Sequence, residues 1–527
     1  MRVLLIYPRF PRTFWSFDRA VSLMGHKVLL PPLGLITVAA LLPQSWQFHL
    51  VDCNVRAVTE AEWQGADLVI LSAMLVQKRD LAHQIRLAKE HGCPVAVGGP
   101  FATSTPDAPE LKSADYLVLD EGEITLPLLV QALQNGLKTG RFTASGEKPD
   151  LSATPIPRFD LLELDAYAML AVQFSRGCPF QCEFCDIIVL YGRKPRTKTT
   201  SQLLAELDAI RELNWRGEIF LVDDHFIGNK RNVKQLLPAL ATWQQERGFP
   251  FSFTTEASID LAGDGELMEL MTNSGFNRVF LGIETPDVAS LSTANKHQNT
   301  RSSLLDAVEA ITAKGLLVMA GFILGFDGER AGAGERIVEF VNQSAIPLAM
   351  VGVLQALPNT ALWHRLDREQ RLLRVESEFD AGVQTNLLNF LPSRPIEEIA
   401  SEFIEAFDQL YEPSNYLNRI YRYSTRLGRD QARRRPSRQS FFAHLKRPQA
   451  LVGMLRLLWN QGVVRDTRWN FWRYLLLTAI QRPRLLDQFL WMALLNEHFL
   501  EYRSLIRQEV NNQLRWSSSH RLAEVAA

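Results

Sequence analysis

The sequence predicts an α/β fold in three parts: an N-terminal doubly wound, Rossmann-like parallel sheet, a partial (β/α)6 barrel, and a helical C-terminal region. Three observations predict it. Short β-rich runs alternate with helical stretches at the spacing of βα units over residues 1–135, a second series of six such strands occupies 171–400, and from 401 to 527 the pattern is helical and cationic. A chain of 527 residues has room for about three domains.

In the first part RVLLIYP, FHLVDCN, DLVILSAM, PVAVGG and DYLVLDE read as buried strands, with GLITVAALLP and QKRDLAHQIRLAKEHG as the helices between them. Residues 136–170 are richer in Gly, Pro, Lys and Asp and read as a linker. The barrel strands are expected in MLAVQFSRG, EIFLVDD, FSFTTEAS, RVFLGIE, LLVMAGFILGF and LAMVGVLQALP. After 401, apolar residues recur every three or four positions with Arg interleaved, and Trp459, Trp469, Trp472 and Trp491 fall on or near the apolar faces.

Charge is divided along the chain. The totals balance at 57 basic against 58 acidic residues, yet 413–527 holds 20 Lys and Arg against 7 Asp and Glu, leaving 37 against 51 for the rest. An acidic body thus carries a basic tail. Composition is that of an ordinary globular protein, 46% hydrophobic and 22% charged. The apolar start, MRVLLIYP, is too short for a targeting segment and reads as a first strand, and no apolar run reaches the roughly 18 residues of a membrane span. Five cysteines, an odd number and clustered, argue against a disulfide framework and for a reducing, cytoplasmic setting.

Three of those cysteines, Cys178, Cys182 and Cys185, form CxxxCxxC in FSRGCPFQCEFCDI, between the first barrel strand and a helix beginning near Thr200. Three thiolates without a fourth suit a four-iron four-sulfur cluster with one iron open to a ligand. Zinc would want a fourth ligand at compatible spacing, and the next histidine, His225, is distant in sequence. Three buried structural cysteines would not explain the flanking Gly177, Pro179, Phe180 and Phe184. Cys53 and Cys93 read as buried thiols, and two cysteines cannot hold a second cluster. No GxGxxG follows the first strand, which argues against a nicotinamide cofactor.

The cysteine loop resembles that of the radical S-adenosylmethionine superfamily. The N-terminal part, with PPLGL and the DEGE turn, resembles the cobalamin-binding domain preceding the barrel in one large class of these enzymes. Within the class, GCPFQCEFCDI, LYGRKPRTKT, VDDHFIGN and LQALPNTALWHRL look like the subfamily containing the hopanoid C-2 methylase. The resemblance implies three cofactors: a four-iron four-sulfur cluster on Cys178, Cys182 and Cys185, S-adenosylmethionine, and cobalamin. It implies a 5'-deoxyadenosyl radical that abstracts hydrogen from unactivated carbon, and methyl transfer to that carbon, in a hopanoid or other lipid-like substrate. The alternatives are a cobalamin-containing oxidative cyclase of tetrapyrrole type and a non-catalytic cobalamin sensor.

On this resemblance the adenosyl moiety falls to Asp223, Glu256 and Glu284 at strand ends and to the GxIxG pattern of Gly321 and Gly325. Glu329 stands one residue beyond the usual acidic position. Cobalamin falls to the loops after the first-domain strands: Asp52 and Asn54, Ser72, Gly98 and Gly99, and Glu121, Gly122 and Glu123. Many cobalamin folds carry Asp-x-His here. Asp52 is instead followed by Cys53 and Asn54, so the lower face of cobalt is expected to be left to water or empty. Expected partners are a hydrophobic small molecule and a one-electron reductase or ferredoxin. The basic helices can cap the barrel or touch the inner face of a membrane, and no nucleic-acid-binding signature supports a third role.

Overall fold

The computed structural model describes residues 1–373, 384–428 and 448–526, the side chains of 448–450 and 517–526 set aside. The first sheet is built from β1 (Arg2–Tyr7), β2 (Gln47–Asp52), β3 (Leu68–Ser72), β4 (Val95–Gly98), β5 (Tyr116–Val118) and β6 (Gly140–Phe142). All pair in parallel, in the order β2-β1-β3-β4-β5-β6. Strand order reverses at β1, so the crevice beside β1 and β3 is where such a sheet binds ligands. Successive strand residues face opposite ways. Leu4, Ile6, Val69, Leu71, Val95 and Val97 pack beneath Trp63, Leu81 and Ile85, while Val3, Leu5, Leu68, Ile70 and Ala96 join a core shared with the helix Leu33–Leu41 and with the barrel.

β6 falls inside the stretch expected to be a linker, 136–170. A three-residue edge strand in a Gly- and Lys-rich context offers no hydrophobic alternation to read, and its pairing with β5 is supplied by the sheet. The rest of that stretch crosses to the barrel in short turns, with Tyr167 donating to Asp52 at 3.2 Å.

The barrel begins with β7 (Leu170–Val172). A two-stranded ribbon, β8 (Ser175–Arg176) and β9 (Arg196–Thr197), brackets the cysteine loop, and β10 (Gly217–Leu221), β11 (Phe251–Ala257), β12 (Phe276–Glu284), β13 (Leu317–Leu324) and β14 (Leu348–Val353) follow. The six long strands pair in parallel and in sequence from β7 to β14, an open six-stranded barrel wall with helices outside.

The C-terminal region is helical, as expected. Helix Ile396–Leu410 packs on β14, where the Tyr411 hydroxyl donates to Ala349 O at 2.8 Å, and the long helix Leu486–Ala526 lies across it. The loop after β1 reaches the same place: Phe14 stacks on Phe499 at 5.0 Å and the Trp15 indole donates to Met350 sulfur at 3.1 Å. The basic run at 429–447 lies outside the described residues. Among those described, no helix is long and apolar enough to cross a membrane.

Candidate active site at the seam of the two sheets

The carboxyl ends of both sheets open onto one cavity of about 910 Å³. From the first domain it is lined by Phe10, Trp15, Asn54, Ser72, Gly98, Gly99, Glu121, Gly122 and Glu123, and from the barrel by Gln173, Arg176, Tyr191, Phe220, Val222 and Asp224. Leu29, Leu30, Leu33, Leu35, Val38 and Leu41 add an apolar wall. The volume is that of a site for a sizeable small molecule.

Several expected residues are present with side chains free of other duties. Gly99 adopts φ 89°, and a Cβ there would stand 2.4 Å from Ser72 Oγ. Ser72 and Gly99 therefore form a floor that a flat ligand can approach, as small-residue loops allow. Others are committed to the fold. Asp52 is buried and does not line the cavity; it accepts from Asn54 N at 2.9 Å, Asn54 Nδ2 at 2.7 Å and Tyr167. Asn54 in turn accepts from Phe10 N at 2.7 Å, so its amide braces two loops against each other.

Glu121 and Glu123, expected to meet a cofactor, line the cavity and pair with arginines. Arg176 bonds Glu121 at 2.9 Å and Glu123 at 3.0 Å, and Arg196 bonds Glu121 at 2.8 Å. These side chains are 3–14% exposed, which makes the group a buried, charge-assisted joint between the domains, two residues from Cys178. Neither arginine was legible as a site residue, because each partner lies 53 or more residues away in sequence.

On the barrel side the two aspartates after β10 divide the work. Asp223 is fully buried and accepts from Phe174 N at 2.7 Å, Ser175 N at 2.8 Å and Ser175 Oγ at 2.7 Å, so it ties β10 to the start of the cysteine loop with both oxygens engaged. Asp224 faces the cavity with Oδ2 buried and unpartnered. Burial, with Asp223 and Asp186 nearby, pushes its carboxyl up to about 7. Glu256 on β11 is half-buried, and burial followed by Asp224 and Asp223 pushes it up to about 8. Glu284 holds φ 66° at the end of β12 and is ion-paired with Lys296. Gly321 and Gly325 serve packing: a Cβ on the first would stand 2.9 Å from the Phe280 ring, and one on the second 2.9 Å from Leu388. Glu329 is a brace, accepting from Gly325 N at 2.9 Å and pairing with Arg394 at 2.8 Å.

The cysteine loop lies behind the Arg176 joint and is fixed from three directions. Glu183 within it pairs with Arg365 of the helix Ala361–Arg368 after β14 at 2.8 Å, Gln298 Nε2 lies 3.6 Å from Cys182 Sγ, and Lys296 sits 5.8 Å from the centre of the Phe184 ring. Burial pushes the Cys178 thiol up to about 11 and raises Cys185 as well, so the bare loop holds thiols, and bound iron would reverse that. Among the described residues no three His, Cys, Asp or Glu groups converge on a point that would hold one metal ion. Three cysteines on one loop suit the separate irons of a cluster. His225 packs its ring against Phe180 at 5.2 Å and is kept neutral by burial. Lys296 and Gln298 were missed, since nothing local in TANKHQNT signals that it returns to the cysteines.

Residues 26–130 match the B12 binding domain, 172–341 the radical SAM superfamily, and 360–512 a domain of unknown function. The chain is 58% identical to an uncharacterized methyltransferase of Synechocystis, over 98% of this chain and 94% of that one. It is 34% identical to the hopanoid C-2 methylase of Rhodopseudomonas palustris, over 95% and 93% respectively. Among solved structures, the cobalamin-dependent S-adenosylmethionine radical enzyme OxsB with aqua-cobalamin bound superposes with a TM-score of 0.59 at 16% identity, covering 98% of this chain and 80% of that one, a likeness of fold.

Proposed function

The chain belongs to the cobalamin-binding radical S-adenosylmethionine enzymes and is a methyltransferase of that family, and from this premise we propose that it methylates an unactivated carbon of an apolar, polycyclic substrate of the hopanoid kind. When bound, the cluster with S-adenosylmethionine supplies a carbon-centred radical and cobalamin supplies the methyl group. The observation that carries the substrate reading is the seam cavity, whose wall from Leu29 to Leu41 is apolar where a hydrocarbon skeleton would lie. The likeness to a hopanoid methylase over nearly the full chain supports the same reading.

In this reading Cys178, Cys182 and Cys185 hold the cluster. Asn54, Ser72, Gly98, Gly99 and Gly122 form the surface against which cobalamin rests, with Asn54 as a brace and no side chain of its loop offered to cobalt. Asp224, Glu256 and Glu284 are the carboxylates for the hydroxyl and ammonium groups of S-adenosylmethionine, and the unpartnered buried oxygen of Asp224 favours such a ligand. Trp15 closes the cavity toward the C-terminal helices and keeps water from a reactive carbon. The electron comes from a one-electron reductase or ferredoxin, and the C-terminal helices make a peripheral contact with the membrane that holds the substrate.

The test is anaerobic incubation of the reconstituted enzyme with methyl-labelled S-adenosylmethionine and a panel of hopanoids and tetrapyrroles, followed by mass spectrometry. One labelled methyl on a hopanoid is expected. Label on a tetrapyrrole alone, or a cyclised tetrapyrrole without label, would overturn the substrate reading.

A further inference from the structure

Two consecutive helices of the C-terminal region, Pro448–Trp459 and Arg468–Gln481, expose apolar side chains on the outside of the molecule. Leu451, Val452, Leu455, Trp459, Val463, Val464, Trp469, Leu476 and Ile480 are each 45–77% exposed, and Trp469 and Ile480 are at 73% and 77%. Scattered single apolar residues on a surface need no explanation, but nine within thirty positions do.

The spacing shows that each helix exposes an apolar stripe. Leu451, Leu455 and Trp459 recur every four residues, as do Trp469 and Arg473, with Leu476 and Ile480 continuing the second stripe. The opposite sides are fixed by packing. Gly453 lies so close to helix Asp18–Leu23 that a Cβ would stand 1.9 Å from Leu23 O, with Met454 and Leu457 buried beside it. Phe471 is buried, and the Trp472 indole donates to Gly462 O at 2.8 Å, joining the second helix to the turn between them. The helices therefore cannot roll their outer stripes inward without breaking the core.

Charge distinguishes among possible occupants. Residues 448–486 contain six arginines and a single acid, Asp466, and the preceding 429–447 adds seven Lys and Arg against one Asp. Arg456 and Arg473 stand exposed among the apolar residues. Apolar stripes with tryptophan, carrying the exposed Arg456 and Arg473, match an anionic bilayer surface, where apolar side chains enter the headgroup boundary and arginines meet phosphates. A second copy of the same face would bring arginines against arginines.

We infer that this face, centred on Trp459, Trp469 and Ile480, docks the enzyme on an anionic lipid bilayer without spanning it. The inference deepens the peripheral contact proposed above and rests on that reading of the helices, while remaining independent of which substrate is methylated.

The experiment is flotation of the full-length chain with phosphatidylcholine vesicles and with vesicles containing about a third phosphatidylglycerol, alongside its size by light scattering. We expect tight binding only to the anionic vesicles, weakened by high salt. The triple variant Trp459→Ser, Trp469→Ser, Ile480→Ser should lower partitioning at least about tenfold. Arg456→Gln with Arg473→Gln should lower it about tenfold and reduce its salt dependence. Cobalamin content of each variant reports that the chain remains folded. No binding to either vesicle, equal binding by the folded triple variant, or a dimer whose formation the triple variant abolishes would overturn the inference. Activity on a soluble substrate without vesicle binding would remove the docking face and leave the methyltransferase reading intact.

Discussion

Glu121, Glu123 and Asp224 line one cavity, with Glu256 close to Asp224, and the protein treats the two pairs in opposite ways. Glu121 and Glu123, from the first sheet, are neutralised by Arg176 and Arg196 across the domain boundary. Asp224 and Glu256, from the barrel, have their carboxyls pushed up by burial and by neighbouring aspartates, and Asp224 keeps an orphaned oxygen. A buried charge with its partner in place is part of the framework; a buried acceptor without a donor lowers stability until a ligand supplies one. On the function proposed above, the difference separates the residues that assemble the cavity from those that meet its ligand.

The contrast can be broken by substitution. The largest effect belongs to Arg176→Ala, which strands Glu123 and leaves Glu121 to Arg196 alone: urea unfolding should show a loss of about 3–5 kcal/mol, and a loss below about 1 kcal/mol would mean the joint is solvated. Asp224→Asn should act in the other direction, stabilising the ligand-free protein by about 1–3 kcal/mol while weakening S-adenosylmethionine binding by tenfold or more, read by calorimetry. Unchanged affinity would remove Asp224 from the site.

The pH dependence follows from Glu256. Its carboxyl is raised from 4.5 to about 8, so the folded chain holds a proton that the unfolded chain has released between those values. That contribution is fully present below about pH 4.5 and is lost as pH rises toward 8, opposite to a salt-bridged acid. Thermal melts of the ligand-free protein should show this decline, and Glu256→Gln should make it shallower, leaving the part below about pH 7 to Asp224. The smallest effect is at Gln298→Leu, which removes the donor near Cys182 and should lower the potential of the bound cluster while leaving its iron content unchanged.

All six barrel strands and the first five of the N-terminal sheet were legible, because apolar β-rich runs such as DLVILS and LLVMAGFIL carry their own punctuation. The cysteine loop was legible from spacing alone. What escaped was non-local. Asp223 and Asp224 are the same residue type at adjacent positions, and only the fold decides which points to Ser175 and which to the cavity. The same holds for Glu121, whose arginines lie 55 and 75 residues on, and for Lys296, which returns to Glu284 and the cysteine loop. The strand Gly140–Phe142 escaped because pairing with β5, and not composition, makes it a strand.

The central claim is that one seam holds cluster and cobalamin together. Its most direct test is anaerobic reconstitution of the wild type and of Cys182→Ala with iron, sulfide and hydroxocobalamin, with both cofactors counted and electron-spin spectra recorded. We expect about four irons and a single cobalamin in the wild type, iron lost but cobalamin kept in the variant, and no nitrogen hyperfine from a protein histidine on the cobalt. A cluster without cobalamin, or cobalamin bound through a histidine, would contradict it.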